Sequence, residues 1–273
     1  MSELATRIAT ALPAAALLLF AVWMGGWILF GAAALLALLG VRELHRICSM
    51  AGWQGDPVLA ALLALWLLSA PINPHMMATG FALMLLLVIR DLMRGRPADL
   101  DRLVATPFVA FYPSAGLLAL LLIRDTAAGD TGFALVVTLL LMVWGNDVFA
   151  YFGGKAFGRR PMAPRISPRK TWEGFGSGLL GAVTGVMLSW WLLPGLDALS
   201  WQFLLPAAVL VSLFGPAGDL TVSRLKRAAG VKDSSGLLPG HGGVLDRLDA
   251  LLLAAPVFWL YLHLALEAGY AAI

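Results

Sequence analysis

Ile8–Val41, IATALPAAALLLFAVWMGGWILFGAAALLALLGV, runs for 34 residues without a charged side chain. One helix needs roughly 20 apolar residues to cross about 30 Å of hydrocarbon, so the run is too long for a single crossing. Gly25-Gly26 divides it into a hairpin of two short spans. Pro57–Ile89 repeats the arrangement, divided at Pro71 and Pro74, and single spans are expected at 104–123, 132–152, 175–194, 202–218 and 249–267. About nine transmembrane helices result, an all-α polytopic integral membrane protein. Composition agrees: 60% of residues are hydrophobic and 13% charged, against about 25% charged in an ordinary soluble domain. That balance excludes a soluble enzyme, a disulfide scaffold, a disordered chain and a nucleic-acid-binding module. The single Cys48 forms no intramolecular disulfide. Arg7 ahead of an Ala-rich run resembles a signal peptide, but the spans that follow favour a retained anchor. Trp23, Trp27, Trp53, Trp172 and Trp201 sit near the ends of apolar runs, where interfacial anchors belong.

Basic residues orient the spans. With nine spans and the amino terminus inside, every Lys and Arg except Arg124 falls on the cytoplasmic side, eighteen of the 19. Arg7, Arg42, Arg46, Arg90, Arg94, Arg96 and Arg102 are among them, and the carboxyl terminus is placed outside. The chain reads as one transmembrane domain, with amino-terminal helices over 1–130 and the chemistry over 131–273. No internal repeat supports an inverted-repeat transporter.

Two cytoplasmic segments interrupt the apolar pattern. Residues 146–174 read NDVFAYFGGKAFGRRPMAPRISPRKTWEG, and 215–249 read GPAGDLTVSRLKRAAGVKDSSGLLPGHGGVLDRLD. They contain 11 of the 19 basic residues and six acids: Asp147, Glu173, Asp219, Asp233, Asp246 and Asp249. The cations alone are topology signals. Gly153-Gly154, Gly158, Pro161, Pro164 and Pro168 add a loop with exposed backbone N–H groups that could approach phosphate oxygens, without the P-loop pattern. Asp147 and Asp219 lie near the ends of expected spans, the latter just after the helix-breaking Gly215-Pro216-Ala217-Gly218. Asp246 and Asp249, three residues apart, share one face at the start of the last span. Asp246 pairing with Arg247 or Arg227, and Asp249 capping the helix, is one account of them. For four carboxylates at a membrane interface a divalent cation is the better one, and hard oxygens favour magnesium, which brings phosphates with it. His45, His75, His241, His263 and Cys48 have no zinc-like spacing. His241, inside Pro239-Gly240-His241-Gly242-Gly243, is either an exposed turn residue or a group for phosphate contact or proton handling. Ser223, Ser234 and Ser235 read as caps or phosphate hydrogen-bonders.

Ser223-Arg-Leu-Lys226-Arg227, then Lys232-Asp233-Ser-Ser-Gly and Leu238-Pro239-Gly240-His241-Gly242-Gly243-Val-Leu-Asp246-Arg247-Leu-Asp249, closely resemble the signature of the phosphatidate cytidylyltransferases (CDP-diacylglycerol synthases). Asn146-Asp147 to Tyr151, Gly154-Lys155, Gly158 and Ser167-Pro168-Arg169-Lys170-Thr171-Trp172-Glu173-Gly174 are similar to another stretch of that family. The resemblance implies that CTP and phosphatidate give CDP-diacylglycerol and pyrophosphate with magnesium, and it allows a second cation, monovalent or divalent. A phosphate oxygen of phosphatidate would attack the α-phosphorus of CTP. That oxygen is already anionic, so no general base is required, and catalysis reduces to alignment and charge neutralisation. The implied roles are metal ligation by Asp219 and Asp246, with Asp249 close behind and Asp147 as a further ligand or substrate contact. Lys226, Arg227, Lys232 and His241 would contact the phosphates of CTP or lipid, with Arg247 beside them. Lys155, Arg169 and Lys170 would supply the opposite wall, with Ser167 and Ser223 as hydrogen-bond donors. The expected setting is the bilayer of a bacterial inner membrane, with the site facing the cytoplasm.

Two alternatives stand beside this reading. One is a related CTP-dependent lipid kinase, or a cytidylyltransferase for another lipid phosphate. The other is a transporter or scramblase of anionic headgroups. Gly174, Gly176, Gly178 and Gly181 would permit close helix contacts, including those of a homodimer.

Overall fold

In the computed structural model, which describes residues 3–93, 100–127, 129–196, 199–238 and 240–269, the first apolar run breaks where two glycines take positive φ, Gly25 at 62° and Gly26 at 47°. A residue with a Cβ is strained there, so the break falls at these glycines. Helix α1 (Glu3–Met24) precedes it and α2 (Gly26–Met50) follows. The second run divides as expected around Pro71 and Pro74, into α3 (Pro57–Leu68) and α4 (Met76–Met93). Then come α5 (Leu100–Asp125), α6 (Asp130–Phe157), α7 (Trp172–Leu192), α8 (Trp201–Ala228) and α9 (Leu245–Glu267). Each expected span falls on one of these helices.

Among the described residues, six helices are long and apolar enough to cross a membrane: α2, α5 from Arg102, α6, α7, α8 and α9. Ala9–Met24 and Pro57–Leu68 are shorter apolar stretches. The chain is an integral membrane protein, and its surface agrees: Trp23, Trp27, Trp53, Trp172 and Trp201 are all exposed, each within three residues of a helix end. Arg94, Arg96 and Pro239 lie outside the described residues.

Three expectations are corrected. The loop expected after the 132–152 span starts later. α6 continues to Phe157, and after Gly158 a short antiparallel hairpin forms from β1 (Pro161–Ala163) and β2 (Ser167–Thr171). Among the described residues the fold is therefore all-α apart from one small hairpin. Secondly, Gly215-Pro216-Ala217-Gly218 does not break the chain: α8 contains both Pro206 and Pro216. A proline removes one N–H and kinks a helix, but a membrane helix tolerates this because leaving the helix exposes more backbone to lipid. Asp219 thus sits inside a helix, not at its end. Thirdly, the second segment is helical through Ala228 and again from Leu245, which confines its loop to 229–244.

The chain divides into two compact units, Met1–Leu118 with Arg224–Leu248, and Ala119–Ser223 with Asp249–Ile273. In the first unit, Asp56 caps α3, accepting from the N–H groups of Val58 and Leu59, both at 3.1 Å. Its other oxygen lies 3.1 Å from Arg90 Nε. In the second, α6 and α7 approach through glycines. A methyl group at Gly145 would strike the Gly181 carbonyl, one at Gly181 the Gly145 carbonyl, and one at Gly185 that of Leu141. Gly174 and Gly178 face α6 in the same way, whereas Gly176 has open space. These small residues serve contacts within the chain, which brings the two helix backbones close.

Candidate active site

In the second unit the last turns of α6 carry Asn146, Ala150 and Gly154 on one ridge, and Asp147, Tyr151 and Lys155 on the next, by the i, i+4 repeat of a helix. β2 brings Arg169 and Lys170 past this face, and Thr171 ends the strand by capping α7, its hydroxyl accepting from the Gly174 N–H at 3.1 Å. Glu173 closes the other side of the hairpin, accepting from the N–H groups of Arg159 (3.0 Å) and Arg160 (3.2 Å). α8 contributes Pro216 and Asp219. These elements enclose a cavity of about 530 Å³, within the roughly 300–1,000 Å³ of small-molecule sites.

Five of the expected residues line it: Asp147, Lys155, Arg169, Lys170 and Asp219. Three cations face two carboxylates. Lys170 Nζ stands 2.6 Å from Asp219 Oδ2, and Ser223 Oγ donates to Asp219 Oδ1 at 3.0 Å. Each carboxylate oxygen therefore has one donor and retains a lone pair. Ser167 begins β2 at the edge of the same hairpin. Asn146, not among the expected site residues, also lines the cavity. It is 3% exposed, and its amide Nδ2 has no hydrogen-bond partner.

In the first unit a separate polar cluster forms around the loop between α8 and α9. Lys226, buried, donates to Asp246 Oδ1 at 2.5 Å. Asp246 Oδ2 accepts from the Ser234 N–H (2.8 Å) and the Gly243 N–H (2.9 Å), and lies 2.9 Å from the Ser234 hydroxyl oxygen. The partners expected for Asp246 are occupied elsewhere: Arg247 Nε donates to the His241 carbonyl and Arg227 to the Val231 carbonyl. His241 is half-buried, not an exposed turn residue, with Nδ1 2.6 Å from Thr10 Oγ1. Lys232 is exposed on the loop. The glycines of this turn are required locally. Gly242 has φ 80°, and a methyl group there would lie 2.6 Å from Asp246 Oδ2. One at Gly243 would strike Ser234 Oγ and the Glu43 carboxylate.

Glu43, like Asn146, is not among the residues expected from the sequence. It is 5% exposed on α2 and accepts from Ser234 Oγ (2.8 Å), Ser235 Oγ (2.6 Å), Val244 N–H (3.0 Å) and Leu245 N–H (2.8 Å). A signal existed. Gly40, Glu43, Leu44 and Ile47 follow the i, i+3, i+4, i+7 spacing of a buried stripe, while Arg42 and Arg46 fall off it and are exposed.

The donors present fit magnesium at Asp219, a hard carboxylate with lone pairs left at a cavity wall. Asp246 Oδ1 already holds one cation, the Lys226 ammonium. Asp249, in the second unit, accepts from the Ala250 N–H through Oδ1 at 2.8 Å. Among the described residues no three His, Cys, Asp or Glu side chains group as a metal site. An ion here would complete its shell from substrate phosphates and water, as magnesium commonly does.

A model of the cytidylyltransferase family matches residues 5–265. A Brucella melitensis protein named phosphatidate cytidylyltransferase is 37% identical over 272 residues, covering 96% of this chain and 94% of that one. A Bacillus subtilis protein of the same name is 33% identical over 281 aligned positions, covering 97% and 99%. One from Pseudomonas aeruginosa is 48% identical over 124 residues, 45% of either chain.

Proposed function

The chain belongs to the cytidylyltransferase family, and we propose that it transfers the cytidylyl group of CTP to phosphatidate, giving CDP-diacylglycerol and pyrophosphate. The observation that carries this reading is the 530 Å³ cavity in which Lys155, Arg169 and Lys170 face Asp147 and Asp219. A wall of mixed sign suits a polyphosphate that arrives with a divalent cation better than it suits an apolar ligand.

In this account a phosphatidate oxygen attacks the α-phosphorus of CTP, the bond from that phosphorus to the bridging oxygen breaks, and pyrophosphate leaves with the electron pair. The chain's task is to hold two anions in line and to offset their repulsion. Lys155, Arg169 and Lys170 bind phosphate oxygens in the cavity, and Asp147 is a further substrate contact. Ser223 orients Asp219, and Ser167 donates from the hairpin. Arg227, Lys232, His241 and Arg247 are further phosphate contacts on and beside the loop between α8 and α9, and Lys226 holds Asp246. In the second unit magnesium would be held by Asp219, with Asp249 in support, and would supply neutralisation of phosphate charge; in the first, Asp246 is a catalytic carboxylate held by Lys226. The basic residues, gathered on one side by the span pattern, support a cytoplasmic site in a bacterial inner membrane, where CTP is at hand.

Purified protein in detergent should release pyrophosphate from CTP when phosphatidate is added. No release at any magnesium concentration would refute the proposal.

A further inference from the structure

Glu43 has no part in the chemistry above, yet its carboxylate ties the middle of the loop that leads to Asp246 to the loop's end. Taking a carboxylate out of water is costly unless hydrogen bonds replace its hydration. Here four donors do so, and none is a cation. Oε2 receives the Ser234 hydroxyl and the Leu245 N–H, and Oε1 receives the Ser235 hydroxyl and the Val244 N–H. The two amides stand at the start of α9, where backbone N–H groups lack intrahelical partners. The two hydroxyls lie where the loop leaves Asp233. One side chain of α2 thus clips residues 234–235 to 244–245, and Ser234 Oγ also touches Asp246 Oδ2 at 2.9 Å.

We propose that Glu43 is a positioning residue for the cytidylyl transfer. By fixing the first turn of α9 against the loop, it holds Asp246 at the Lys226 ammonium. The proposal rests on the function proposed above. Charge is essential to the arrangement, because every oxygen position receives one hydroxyl and one backbone N–H. In Glu43→Gln one position becomes NH2. A serine hydroxyl can turn to accept from it, but the backbone N–H cannot, so neither orientation of the amide satisfies the clip. Glu43→Asp keeps both oxygens on a shorter stem.

The test uses the full-length protein in detergent, with steady-state kinetics and hydrogen exchange of peptides covering 234–248. Glu43→Gln should lower kcat on the order of a hundredfold, with KM for CTP and phosphatidate changed less than about threefold, as expected for displaced rather than deleted groups. Exchange across 234–245 should quicken, and Glu43→Asp should recover roughly tenfold of the lost kcat. Wild-type kcat in Glu43→Gln overturns the proposal. So does a loss of kcat with unchanged exchange, or a Glu43→Asp variant no better than Glu43→Gln. If Glu43→Gln does not fold, Ser235→Ala decides: quicker exchange with lower kcat supports the clip, and wild-type values for both overturn it. If wild-type protein makes no pyrophosphate, the functional reading fails by itself, and with it the catalytic part of this proposal, while exchange still reports whether the clip exists.

Discussion

Lys226 Nζ stands 2.5 Å from Asp246 Oδ1, an ion pair whose side chains are 10% and 6% exposed. So enclosed a pair contributes through the cost of leaving either charge alone. Lys226→Met or Asp246→Asn should each destabilise the protein by about 3–5 kcal/mol, and the double variant by less than their sum, with a coupling of about 1–3 kcal/mol. Unfolding of the four proteins in one detergent measures this, and strict additivity would show that the two groups do not act as a pair. Asp246→Asn should also abolish turnover at every magnesium concentration while still inserting in the membrane.

Asp219 is placed differently, at a cavity wall with Lys170 on one oxygen and Ser223 on the other. Removing its charge should raise the magnesium needed for half-maximal activity. Asp219→Asn is expected to shift that midpoint at least ~10-fold, and Ser223→Ala, which loses only the orienting hydroxyl, by less. A magnesium titration at fixed CTP reads both. Identical midpoints in wild type and Asp219→Asn would remove Asp219 from the ligand set.

Glycines separate the turn from the helix surface. A methyl group at Gly243 meets Ser234 and Glu43, so Gly243→Ala should cost about 1–3 kcal/mol as an overpacked site, with activity lost alongside. At Gly176 nothing lies within 4 Å, and in a helix alanine is favoured over glycine by roughly 0.5–1 kcal/mol, so Gly176→Ala should be neutral or slightly stabilising. Thermal unfolding of the two variants checks the contrast. Equal stabilities would contradict the packing described at the turn.

The membrane character and the helix order were legible because they depend on local composition: charge-free runs of fixed length, and breaks at Gly25-Gly26 and at Pro71 and Pro74. The ends of α6, α8 and α9 were not, because Lys155, Asp219, Lys226 and Asp246 look like loop residues by polarity alone. A helix that leaves the bilayer carries polar groups without unwinding. Pro216 misled for a related reason, since its backbone cost in lipid is smaller than that of abandoning the helix. The cavity residues Lys155, Arg169, Lys170 and Asp219 were legible through charge and spacing. The Lys226–Asp246 pair was not, because Arg247 and Arg227 are equally available by sequence and only the path of the loop turns both toward backbone carbonyls. Glu43 was hidden between Arg42 and Arg46, with partners 191–202 residues away.

In the proposed reaction the cytidylyl group, and not the terminal phosphate, moves to the lipid. CTP labelled with ³²P at either the α- or the γ-position, incubated with purified protein, magnesium and phosphatidate, tests this directly. α-Label is expected in the lipid phase and γ-label in pyrophosphate. Label from the γ-position in the lipid would make the protein a lipid kinase, and no label in the lipid from either position would contradict group transfer altogether.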